Sequence, residues 1–107
     1  MTTFNAREAG FERKFVTDAE TEFRIMARRN KLLGLWAAEK LGLTPEEADA
    51  YTKSVIQADF EEAGDEDVFR KVLGDLTARG VDVSDRDVRE VMTAKLVEAR
   101  RQLMDIV

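Results

Sequence analysis

Residues 23–42 read FRIMARRNKLLGLWAAEKLG, from Phe23 to Gly42. Met26, Leu33, Ala37 and Leu41 repeat at the three-and-four spacing of one helix face. Ile25, Leu32 and Trp36 add apolar side chains on other faces of the same turns. A helix that is apolar on several sides belongs at the centre of a fold, covered by its neighbours. This stretch is therefore expected to be the axis of an all-α protein, with Trp36 as a core anchor. Gly42 follows as the residue that takes the left-handed conformation closing a helix.

Working outward, the same periodicity runs back through Phe23, Ala19, Phe15 and Phe11. The helix could open at Asn5, whose side chain caps the first turn while Glu8 reaches back. Unbroken from Ala6 to Leu41, it would measure ~54 Å, longer than the following helices can cover. Downstream, Thr44, Pro45 and Glu47 form a cap, a first-turn proline and a capping-box glutamate. Ala48, Tyr51, Val55 and Ile56 line the helix they open, Phe60 lies a turn further on, and Gly64 is expected to end it. Asp65 caps a third helix whose stripe is Val68, Phe69, Val72, Leu73 and Leu76, and Gly80 stops it. Ser84 with Asp87 opens a fourth, carrying Val88, Val91, Met92, Leu96, Ala99, Leu103 and Ile106. No segment alternates like a strand, and the expected fold is an all-α four-helix bundle with a long first helix.

Composition restricts the chemistry. The chain of 107 residues has no cysteine and no histidine. Disulfides, thiolate zinc sites, thiol catalysis and imidazole bases are all excluded. The acidic run Asp59, Glu61, Glu62, Asp65, Glu66, Asp67 lacks the twelve-residue spacing of a calcium loop and reads as a solvated, helix-capping charge cluster. There is no glycine-rich phosphate loop; Gly34 and Gly74 read as sites of close helix packing. No cofactor or metal is expected, and an enzyme is disfavoured. No apolar run approaches the roughly 20 residues of a membrane span, and the start lacks a secretory signal pattern. The expected location is the cytoplasm.

Charge and aromatic residues are unevenly distributed. The net charge of -5 combines +2 over residues 1–41 (8 basic, 6 acidic) with -7 over residues 42–107 (9 basic, 16 acidic). Such a mildly basic helix beside an acidic body is not a nucleic-acid surface. Within it, Arg28, Arg29 and Lys31 cluster, and pairing with the acidic segment 59–67 is preferred over a phosphate site. Phe4, Phe11 and Phe15 are half of the six phenylalanines. Phe11 and Phe15 share a helix face, with Phe4 seven residues before. They suit either docking in a partner's groove or capping the bundle's own core. Three such rings buried in a partner contribute very roughly 5 to 9 kcal/mol before ordering costs.

The stretch Phe23–Gly42, with FERKFVTDAE (Phe11–Glu20) and DFEEAGDEDVFRKV (Asp59–Val72), resembles the zeta-subunit family of F-type ATP synthase inhibitors from alphaproteobacteria, formerly a domain-of-unknown-function family. The resemblance covers essentially the whole chain, with residues 77–107 matching in helical character and length. It implies a four-helix fold and a block on ATP hydrolysis by the catalytic head. It further implies that residues 1–20 are a flexible inhibitory segment and 21–107 the bundle. That segment would become helical when wedged between catalytic α and β subunits near the γ stalk. Phe4, Arg7, Glu8, Phe11, Glu12 and Phe15 are the partner-binding residues it implies. The implied protein is monomeric when free, does not insert into lipid, and sits at the inner membrane only through the synthase. A helical adaptor or nucleotide-responsive regulator of another partner is the alternative. The mitochondrial inhibitor, a functional analogue, uses a histidine-rich region for pH control; with no histidine here, no such switch is expected between pH 6 and 8.

Overall fold

A computed structural model describes residues 19–60 and 64–104. Four helices make up its regular structure: α1 (Ala19–Leu41), α2 (Pro45–Ala58), α3 (Glu66–Ala78) and α4 (Asp85–Met104). No strand occurs among the described residues. The all-α four-helix reading is correct, and α1 packs against each of the other three helices. The expected start at Asn5, the phenylalanines before Ala19, and Ile106 lie outside the described residues.

Local chemistry sets most of the boundaries. At the start of α2, Glu47 N–H donates to Thr44 Oγ1 at 3.2 Å, and Thr44 N–H donates to Glu47 Oε1 at 2.9 Å. The Ser84–Asp87 pair makes the same reciprocal bonds before α4, at 3.1 and 3.0 Å. Gly42 after α1 and Gly80 after α3 have φ of 70° and 80°, a region that glycine enters without a Cβ penalty.

The centre is built by Leu33, Ala37 and Leu41 of α1, Val55 of α2, Val68, Phe69, Val72 and Leu76 of α3, and Val88 and Met92 of α4. Each large aliphatic residue removed from water there contributes about 1.5–3 kcal/mol. Gly34 lets α2 approach α1: a Cβ at this position would stand 2.9 Å from the Thr52 Cα.

Three expectations need correction. Trp36 is half-buried and flanks the core instead of anchoring it. Gly74 is exposed with open space where a side chain would stand, so it mediates no close packing. Helix α2 ends at Ala58, capped at Asp59, well before Gly64. The cause of that early end is long-range: the Asp59 carboxylate accepts from Asn30 Nδ2 at 3.1 Å, fixing the chain's exit to α1.

Candidate functional site

Phe4, Arg7, Glu8, Phe11, Glu12 and Phe15 all lie outside the described residues. What the structure describes is the platform they join. The first described turns of α1 carry Phe23 outward. Phe23 is 55% exposed and Phe60 is 64% exposed, with their ring centroids 5.7 Å apart and tilted by 33°. Leu35, three helical turns beyond Phe23, is 44% exposed. The adjacent exposed rings of Phe23 and Phe60 are more informative than the same residues scattered singly.

A hollow of about 340 Å³ opens beside Phe23. Phe23 and Ala27 of α1, Ile56 of α2 and Leu103 of α4 provide its apolar surface. Its polar lining is entirely cationic: Arg24, Arg28 and Lys31. A second hollow of about 270 Å³ lies on the Phe60 side, with Glu22 and Asp59 among its lining residues.

The basic cluster of α1 divides in two. Arg29 is buried, 1% exposed. It donates from Nη2 to Asp65 Oδ1 at 2.9 Å and from Nε to Asn30 Oδ1 at 2.7 Å. The expected pairing with the acidic segment therefore holds for Arg29. Asp65 occupies the N-cap position of α3 as expected, yet makes no side-chain capping bond because its carboxylate is turned to Arg29. Arg28 differs: it donates to Gln102 Oε1 at 2.6 Å, tying α1 to α4. A buried charge needs its partner, so Arg29 with Asn30, Asp59 and Asp65 is a clamp on the α2–α3 connection. The sequence pointed to this pairing but not to the burial of Arg29, which depends on a partner 36 residues away.

Thr17-x-x-Glu20 has capping-box spacing immediately ahead of the first described turn of α1.

No group of three or more acidic side chains is placed to hold a metal among the described residues. No described helix is long and apolar enough to cross a membrane. The described residues thus form a four-helix fold with exposed apolar and cationic side chains beside its first helix. Residues 1–102 match the model of the family described as ATPase inhibitor subunit zeta, and the chain belongs to that family. It is thus a regulatory inhibitor subunit and not an enzyme. A protein solved in solution by NMR is similar to it, at 50% identity and a TM-score of 0.70 over 80% of this chain and 98% of the other. No curated protein matches.

Proposed function

We propose that this protein inhibits ATP hydrolysis by the F-type ATP synthase by inserting its N-terminal amphipathic helix at a catalytic α/β interface beside the γ stalk. The observation that carries the reading is the family match, which runs from residue 1 through the phenylalanine-bearing segment and the bundle. In this reading residues 1–20 are the inhibitory segment and 21–107 the bundle that presents it. Phe4, Phe11 and Phe15 fill apolar sites on the partner, and Arg7, Glu8 and Glu12 fix the orientation. Inhibition is a mechanical obstruction of rotation and needs no reacting side chain. The partners are the α, β and γ subunits. The protein is a monomer when free, cytoplasmic, and peripheral to the inner membrane through the synthase.

The test is ATP hydrolysis by the synthase of the same organism, titrated with full-length protein and with a form lacking residues 1–17. The full chain is expected to inhibit and the truncated chain to lose inhibition while keeping its helical circular dichroism. Full inhibition by the truncated form would refute the assigned segment.

A further inference from the structure

Helix α4 is held in two different ways along its length. In its first half, Val88 and Met92 are buried in the core with the apolar residues of α1 and α3. Arg89 adds to that grip: it donates from Nη1 and Nη2 to Glu66 at 3.2 Å, and its guanidinium lies 3.8 Å from the Phe69 ring centroid. In the second half the grip is polar. Arg100 donates from Nη1 and Nη2 to Glu22 at 3.3 and 3.4 Å, with both side chains close to half exposed. Arg28 Nη1 donates to Gln102 Oε1 at 2.6 Å. Of residues 93–104, Ala99 alone is buried. Leu103 lines the hollow of about 340 Å³ between α1, α2 and α4 without filling it.

We propose that residues 97–104 of α4 form a strap that lifts from the start of α1 as one unit while the rest of the bundle stays folded, and that the Glu22–Arg100 pair sets how often it does so. Local opening is easiest where few apolar side chains are buried and the bonds face solvent. The strap meets both conditions, and the half of α4 that carries Val88 and Met92 meets neither. An exposed ion pair contributes little and is screened by salt, so closure of the strap weakens as ionic strength rises. Apolar burial closes the other half and carries no such dependence. Ile25 is fully buried and lies one turn from both Glu22 and Arg28, on the face of α1 that these bonds close over. Lifting the strap therefore bares Ile25 and opens the hollow beside it. The device works within the bundle and does not depend on the assigned inhibitory segment.

Two measurements on the full chain test it. The chain contains no cysteine, so one introduced thiol reports opening alone. Ala99→Cys places it under the strap, and Val72→Cys places it in the core on α3, where only global unfolding exposes it. With a maleimide in excess, Ala99→Cys should react more than about tenfold faster than Val72→Cys. Its rate should also rise far less steeply with urea, because the strap exposes little surface. Adding Arg100→Ala should speed the Ala99→Cys reaction roughly two- to fivefold, and 1 M NaCl should do the same only while Arg100 is present. Equal rates or equal urea slopes for the two thiols overturn the proposal, as does a rate that Arg100→Ala leaves unchanged. Amide hydrogen exchange checks the strap without a thiol. In the unsubstituted protein the amides of residues 99–103 should share one opening equilibrium, and Arg100→Ala should raise all of them by the same factor. A graded rise in exchange toward Met104 is fraying residue by residue and overturns the single unit.

Discussion

Gly34 stands where α1 meets α2, and a Cβ added there would lie 2.9 Å from backbone at Thr52. Alanine improves helix propensity by about 1 kcal/mol, but overpacking against backbone costs about 1–3 kcal/mol. Crowding wins, so Gly34→Ala should lower the urea midpoint. Gly74 is also inside a helix and has nothing within 4 Å of an added Cβ. Gly74→Ala should raise the midpoint, by roughly 0.5–1 kcal/mol. The two variants, compared in one denaturation series, separate propensity from packing. Tyr51 gives a second test. Its hydroxyl donates to Asp75 Oδ2 at 2.9 Å. Burial first, then that hydrogen bond and the carboxylate's charge, hold the phenol well above its ordinary range. The folded state keeps a proton that the unfolded chain loses near pH ~10. The associated stability is complete below that pH and declines as pH rises above it. Tyr51 is the only tyrosine, so phenolate absorbance reports it alone. At pH 10 to 11 the native protein should show little phenolate while the urea-unfolded chain shows most of it; equal signals would contradict the burial.

At the scale of the helices, the start of α2 depends on one reciprocal pair. Thr44→Ala removes the acceptor for Glu47 N–H and should cost about 1 kcal/mol, read as a lower thermal midpoint with an unchanged fold. The Glu47 carboxylate is held below its usual range, chiefly by the Thr44 backbone bond and then by its hydroxyl. Its contribution is therefore present above the ordinary glutamate range and is lost as pH falls through the depressed value. This cap was legible because its residues are neighbours: Thr44, Pro45 and Glu47 carry the information locally. The Ser84–Asp87 cap and the glycines after α1 and α3 were legible for the same reason. The end of α2 was not. It is decided by Asp59 meeting Asn30 and Asp65 meeting Arg29, contacts spanning 29 and 36 residues that no local pattern encodes. The apolar stripes were legible too, but periodicity does not say which face lacks a cover. Phe23 reads like any other position of the helix face, yet it is 55% exposed. Of the candidate site, Phe4, Phe11 and Phe15 could be named from their spacing, and all three lie outside the described residues.

For the whole molecule, the absence of histidine becomes a prediction about assembly. No side chain here ordinarily changes charge between pH 6 and 8. Sedimentation should therefore give one oligomeric state across that interval, and a transition within it would refute the expectation. The order of the helices has another consequence. Helix α1 is the common neighbour of the other three, and its partner α4 is the last of them in the chain. Glu22 meets Arg100 at 3.3 Å and Arg28 meets Gln102, across 78 and 74 residues. On the ribosome the axis of the protein is made first and closed last. Between synthesis of Leu41 and Met104, at about 5–20 residues per second, α1 waits on the order of 3–13 s with its α4 face bare. During that interval a nascent chain carries an apolar helix without its final cover, and it is then that a chaperone would meet it.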